Sequence, residues 1–171
     1  LEALGYVLSA DIIALEDVPL YRRSSVDGYA IKAKDSYGAK DGEMFLDVVD
    51  SIGIDEISDK ELSDNEAIRV QTGSFLPKGA DSVMMLEYTR AFLDDKIVIY
   101  KPIAPLENVI EKGEDIKKDE VVLKKGTLLK EENIGILISL GIKEVEVYER
   151  LKAAIISSGD ELCDPFENIP P

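Results

Sequence analysis

The sequence predicts a mainly β fold of the α+β class. Short runs of strand composition recur through the middle of the chain, at Met44 to Val49, Ala67 to Val70, Ser82 to Thr89 and Lys96 to Tyr100. Clusters of Gly, Pro, Asp and Ser separate these runs. A late segment, Glu131 to Leu140, sets Ile134, Leu137 and Ile138 at helical spacing and then meets Gly141, a natural stop. With 171 residues and 45% hydrophobic content, the chain can bury a core in one or two domains.

In chain order, Leu1, Leu4 and Leu8 read as the apolar face of an opening helix with no cap before it. Pro19 breaks the chain, and Ser25 to Ile31 leads into the strand-rich middle. Leu93-Asp94-Asp95 has the composition of a hairpin connection between the two runs around it. Pro102 and Pro105 then punctuate the chain, Glu120 to Leu123 reads as a short strand, and another follows the helix at Val145 and Val147. Lys152 to Ser158 reads as a buried strand through Ala153, Ala154, Ile155 and Ile156, running into Gly159. One strand makes no domain, so the chain is expected to be a fragment whose last residues open a further α/β domain.

Charge and composition narrow the function. A net charge of -15, from 35 acidic and 20 basic residues, opposes a nucleic-acid partner because phosphates would be repelled. The chain has no histidine, which removes the usual neutral-pH base and the commonest nitrogen ligand. Any bound metal would rest on carboxylates, which suit Mg²⁺ beside a phosphate-bearing ligand. Cys163 is the single cysteine, so no intrachain disulfide forms and a cytoplasmic setting is expected. The longest apolar stretch, Ile134 to Ile142, is shorter than the ~20 residues of a membrane helix, so no membrane association is expected.

Four loops carry the polar chemistry: Ser24-Ser25-Val26-Asp27-Gly28-Tyr29-Ala30, Thr72-Gly73-Ser74 through Asp81, Gly113-Glu114-Asp115, and Ser157 through Leu162. Each joins a glycine to a carboxylate or hydroxyl, which lets a ligand approach the main chain closely. Asp27 beside two hydroxyls could order a metal-bound water or the polar shell of an oxyanion. Thr72, Gly73 and Ser74 offer hydroxyls and backbone N–H groups to an anion. Each loop is also a competent turn, and Pro77-Lys78-Gly79 reads as a turn alone. Gly159-Asp160-Glu161 follows an apparent strand, where ligands gather in α/β folds. Neither GxxxxGK[ST] nor GxGxxG occurs.

This ordered series resembles the MoeA family of molybdenum-inserting enzymes, which includes the E domain of gephyrin. The matching residues are Asp17-Val18-Pro19, Ser24 through Ala30, Thr72-Gly73, Leu76 through Asp81, Glu87, Asn108, Gly113 through Ile116, Gly126, Ile134-Gly135, Ser139, Gly141, and Ile155 through Leu162. The resemblance implies a homodimer with a discontinuous first domain (1–31 and 108–150), an inserted β-rich second domain (32–107), and the start of a pterin-binding α/β domain (151–171). It implies a molybdopterin molybdotransferase that takes adenylylated molybdopterin and molybdate, releases AMP with Mg²⁺ assistance, and has molybdopterin adenylyltransferase as its upstream partner. Asp27, Thr72, Asp115 and Glu161 become the implied catalytic positions, with Asp27, Asp115 and Glu161 as metal ligands. Ser25, Gly73, Ser74, Lys112 and Gly159 are the implied substrate contacts. The fragment alone is expected to be inactive, and a non-catalytic scaffold or binding module on the same fold is the alternative. One departure stands out: family members commonly carry arginines before Gly-Glu-Asp, where this chain has Ile110-Glu111-Lys112.

Overall fold

The computed structural model describes residues 2–159 and 162–163. In chain order its strands are β1 (Ile12–Ile13), β2 (Arg23–Ser24), β3 (Gly28–Ile31), β4 (Met44–Ser51), β5 (Glu66–Val70), β6 (Ser82–Met85), β7 (Thr89–Ala91), β8 (Lys96–Ile99), β9 (Val109–Ile110) and β10 (Val121–Leu123), followed by helix α1 (Glu131–Ser139). The expected mainly β architecture is what the chain adopts. Six strands form one sheet in the order β6-β3-β5-β4-β8-β7, while β1-β10 and β2-β9 are separate two-stranded ladders. Only β4 and β5 run parallel within the large sheet; its other neighbours are antiparallel.

The strand period of two sorts side chains onto two cores. In β3, Tyr29 and Ile31 join one cluster with Leu46, Ile97 and Ile99, whereas Ala30 joins the other with Ile68, Val70 and Val83. All four β3 residues are buried because the strand lies between β5 and β6 with packing on both faces. Gly28 begins this strand for a steric reason: a Cβ there would stand 2.0 Å from the Met84 carbonyl oxygen.

A third core joins the chain's two ends around α1. Leu8 and Ile12 meet Leu123, Leu129, Ile134 and Leu137. Glu131 and Glu132 lie in the first turn of α1, where acids complement the helix dipole. At its end the Gly141 N–H donates to Ile138 O and the Ile142 N–H to Leu137 O, with Gly141 at φ +70°. This pair of bonds is a Schellman closure, which needs a left-handed residue at Gly141. Gly135 sits inside the same helix with open space around its Cβ position. Two opposite effects follow in urea unfolding. Gly135→Ala raises stability by about 0.5–1 kcal/mol, and Gly141→Ala lowers it by about 1 kcal/mol.

Four sequence expectations are corrected. The opening helix does not form: residues 2–5 are turns, Gly5 has φ +76°, and Val7 and Leu8 instead bridge to Leu128 and Val147. The run from Ser82 to Thr89 is broken by a 3-10 turn at Leu86–Tyr88, whose Leu86 carbonyl accepts from the Thr89 hydroxyl. The strand at Val145 and Val147 reduces to the single bridge between Leu8 and Val147. Residues 152–158 form no strand; Ile155 and Ile156 are 95% and 89% exposed. A strand needs a hydrogen-bonding neighbour, and none of the described strands pairs with this segment.

Surface charge gives the fold an acid-sensitive element. Asp64 accepts from Lys32 and Lys34, and these two ammonium groups hold its carboxyl down from 3.8 to about 2. A depressed folded-state value adds stability above 3.8, and that contribution is lost as pH falls toward about 2. Thermal melts across this interval should therefore show a falling midpoint. Asp64→Asn should flatten the fall, because it leaves no carboxylate to protonate.

Candidate functional site

Two neighbouring loops build the best-defined polar site. The Ser24 N–H donates to Ser74 O, the Gly73 N–H donates to Ser24 O, and Arg23 bridges to Phe75. Ser24 is fully buried and bonds within its own turn, its hydroxyl donating to Val26 O at 2.6 Å. Gly73 has φ +88°, which lets the second loop reverse. Ser74 is also fully buried, and its hydroxyl accepts the Gln71 N–H at 3.1 Å. Ser74 thus closes the loop from inside, and the expected anion-binding N–H groups of this loop are spent within the fold: Thr72 N–H on Asp27, Gly73 N–H on Ser24 O and Ser74 N–H on Gln71 O.

The zipped loops bring Asp27 and Thr72 together on the surface. Asp27 Oδ1 accepts the Thr72 backbone N–H at 2.7 Å and the Thr72 hydroxyl at 3.0 Å. The Thr72 backbone donor, then its hydroxyl, then the charge of Arg69 hold the Asp27 carboxyl below its ordinary value. Hydrogen bonds to a charged form favour that form, so Asp27 stands as a carboxylate with Oδ2 outside this clasp. Ser25 is exposed on the same loop, its N–H donating to Asn108 O.

Arg69 adds a charge to this site that its sequence position alone does not mark. It lies opposite Tyr29 in the β3–β5 register, with its guanidinium 5.9 Å from the Tyr29 ring centre and a long 3.4 Å bond to the phenol oxygen. The sequence signal was a lone cation between Ile68 and Val70, three residues before Thr72.

The Gly113-Glu114-Asp115 loop forms a second assembly, and Lys112 beside it lines one cavity with Phe75, Leu76, Pro77 and Lys78 of the Thr72 loop. Gly113 has φ +69°, and a Cβ there would lie 3.0 Å from Asp17 Oδ1. Glu114 faces its own turn, accepting the Glu111 N–H at 2.7 Å. Lys112 pairs with Asp17 at 3.3 Å, and Asp17 also accepts the Lys118 N–H. The Lys118 donor is the main cause of a lowered Asp17 carboxyl, with Lys112 assisting. Asp115 is exposed, and its N–H donates to Val18 O. Arg22 brings a guanidinium to this loop from another part of the chain, bonding Glu111 at 2.9–3.1 Å.

Ladder geometry sets where the two loops leave the β2–β9 pair, and Arg22 links them, its carbonyl accepting the Leu76 N–H and its guanidinium bonding Glu111. Strands β2 and β9 are antiparallel, with Arg23 opposite Ile110 and Ser24 opposite Val109. Asp27 and Asp115 follow these strands and leave the ladder at opposite ends. Gly159 is exposed in the unpaired segment, and Glu161 lies outside the described residues. Among the described residues, no group of three or more acidic, Cys or His side chains is placed to hold a metal ion. Nor is any described helix long and apolar enough to cross a membrane.

Comparison with known proteins gives a consistent result. Residues 1–141 match the family model described as the MoeA N-terminal region, domain I and II. A molybdopterin molybdenumtransferase from Staphylococcus aureus is 40% identical over 164 residues, covering 95% of this chain and 39% of that protein. One from Staphylococcus epidermidis is 36% identical over 171 residues, covering 99% of this chain and 41% of that protein. The crystal structure of a molybdopterin biosynthesis moeA protein from Pyrococcus horikoshii OT3 superposes with a TM-score of 0.81 at 41% identity, over 85% of this chain and 38% of that one. A second structure from the same species gives 0.84 at 35% identity, over 99% and 44%. The chain thus spans about two fifths of the length of the curated relatives it matches.

Proposed function

This chain belongs to the MoeA N-terminal family, and from that membership we propose that it forms part of a molybdopterin molybdenumtransferase acting in molybdenum cofactor biosynthesis. The observation that carries the reading beyond family is the clasp of Thr72 by the Asp27 carboxylate on two exposed loops. In the proposed reaction, adenylylated molybdopterin and molybdate react with release of AMP and leave molybdenum on the pterin dithiolene. Asp27 orients water or a cation at the phosphoanhydride, and Thr72, whose N–H and hydroxyl both donate to Asp27, holds that carboxylate in place. Mg²⁺ commonly binds through one or two carboxylates together with substrate phosphates. The described residues make no metal cage on their own, so phosphate oxygens would complete its shell.

Asp115 and Glu161 are proposed to contribute from other parts of the site, and a homodimer is the proposed assembly in a cytoplasmic setting. Molybdopterin adenylyltransferase is the proposed upstream partner. Arg22 supplies, near Glu111, a guanidinium of the kind the family carries just before Gly-Glu-Asp. The chain alone is proposed to be inactive. One observation favours the alternative scaffold reading: Lys112 is occupied by Asp17 rather than turned to an anion.

The test is molybdenum retained on pterin, with AMP released, after incubating the full-length protein with adenylylated molybdopterin, molybdate and Mg²⁺. Transfer is the expected result. A folded full-length protein that releases no AMP and loads no molybdenum would move the assignment to the scaffold.

A further inference from the structure

The clasp between Asp27 and Thr72 leaves this loop pair without a backbone donor for an anion. The Thr72, Gly73 and Ser74 N–H groups are all spent within the fold, and Asp27 sets a negative charge beside them. Both proposed substrates are nonetheless oxyanions, one a phosphoanhydride and the other molybdate. A carboxylate alone would repel them. The site needs a cation of its own.

Strand register supplies one. Arg69 on β5 lies opposite Tyr29 on β3 and, from the other side, opposite Ser51 on β4. Tyr29 belongs to the cluster with Leu46 and Ile97, as does Ala67, two residues before Arg69, so the strand period puts Arg69 on that same face. Asp27 lies just before β3, and Arg69 is the cation whose charge acts on its carboxyl. Other acids are placed differently. Asp50 is opposite Ile68 on the far face, where its carboxylate takes the Ser58 hydroxyl. Glu66 accepts the Ser63 N–H, and none of the ion pairs among the described residues includes Arg69.

The guanidinium is exposed but supported. It stands 5.9 Å from the Tyr29 ring centre and makes a single long bond, 3.4 Å, to the phenol oxygen. Tyr29 itself is 8% exposed, so the ring beneath the charge is a fixed platform. The remaining N–H groups of Arg69 have no partner among the described residues. A planar guanidinium fork matches two oxygens of a tetrahedral oxyanion.

We propose that Arg69 is a substrate-binding residue of the Asp27 and Thr72 site, gripping two oxygens of a tetrahedral oxyanion, either the phosphate of the adenylylated pterin or molybdate. The roles then divide cleanly: Thr72 fixes Asp27, Tyr29 carries Arg69, and the ligand meets two unlike charges. The identity of the anion rests on the transferase reading, whereas its binding can be measured without turnover.

Calorimetry on the full-length protein, with AMP and molybdate as separate probes in a Mg²⁺ buffer, distinguishes the two sources of oxyanion. Arg69→Gln should weaken at least one of them by at least about tenfold and flatten its dependence on salt, because a charged contact is lost. Loss for AMP alone assigns Arg69 to the phosphate, and loss for molybdate alone assigns it to the metal oxyanion. Arg69→Lys keeps the charge without the fork and should recover only part of the affinity. Thermal midpoints of both variants should stay close to that of the unaltered protein, since the side chain is exposed. Unchanged affinity for both probes in Arg69→Gln, or an unaltered protein that binds neither, would overturn the proposal. Binding that depends on Arg69 in a protein that transfers no molybdenum would sink the transferase reading and leave this one standing.

Discussion

Asp27→Asn in the full-length protein is expected to lower molybdenum transfer at least about a hundredfold while leaving the fold intact. The asymmetry between activity and stability follows from the contacts. Asparagine retains a carbonyl oxygen that can accept from the Thr72 N–H and hydroxyl, which Asp27 Oδ1 now does at 2.7 and 3.0 Å. It removes the negative charge and one acceptor from a position that would order water or a cation. Burial gives the substitution nothing to disrupt, because the side chain is exposed. Parallel measurements of AMP release and thermal midpoint check the pair of outcomes. A large loss of stability would show that Asp27 holds the loops rather than serving the reaction.

Gly28→Ala acts in the opposite way, one residue along the same chain. Its Cβ would lie 2.0 Å from Met84 O and 2.9 Å from Met84 C, which are backbone atoms of the adjacent strand and cannot rotate aside. Strand β3 would have to draw away from β6 at the Gly28–Met85 pair. Because β3 contributes to both faces of the sheet, both clusters would feel the shift. The expected cost is about 3 kcal/mol, at the upper end of ordinary overpacking. Denaturant melts should show a lower midpoint with little change of slope. An unchanged midpoint would contradict the tight β3–β6 approach.

The strand-rich middle and α1 were legible because their patterns are local. Period-two runs, the 3.6 period of Ile134, Leu137 and Ile138, and the glycine stop all act within a few residues. No opening helix forms although Leu4 and Leu8 fit a helical spacing, because the deciding contacts are long-range. Leu8 is drawn to Thr127 and Gly126 by backbone hydrogen bonds. Residues 152–158 carry strand composition, yet composition cannot supply a neighbouring strand.

The site was legible in parts for a similar reason. Asp27 and Thr72 were separately conspicuous beside their glycines, but their direct contact spans 45 positions in sequence. Ser74 and Glu114 looked equally available to a ligand, and folding instead turns their oxygens onto Gln71 and Glu111. Lys112 was the expected anion contact; its pairing with Asp17 depends on a loop 95 positions earlier, from 17 to 112. Arg69 escaped notice because its importance lies in the β3–β5 register, which brings its charge to Tyr29 and Asp27. Chemistry can be read residue by residue, whereas its geometry is set by pairing between distant segments.

The most direct test of the central claim is a double-mutant cycle on molybdenum transfer in the full-length protein, using Asp27→Asn, Thr72→Val and both together. If the clasp is one functional unit, each single change lowers the rate and the double variant is no slower than the worse single one. Wild-type transfer in the Asp27→Asn protein, or losses that simply multiply in the double variant, would contradict that account.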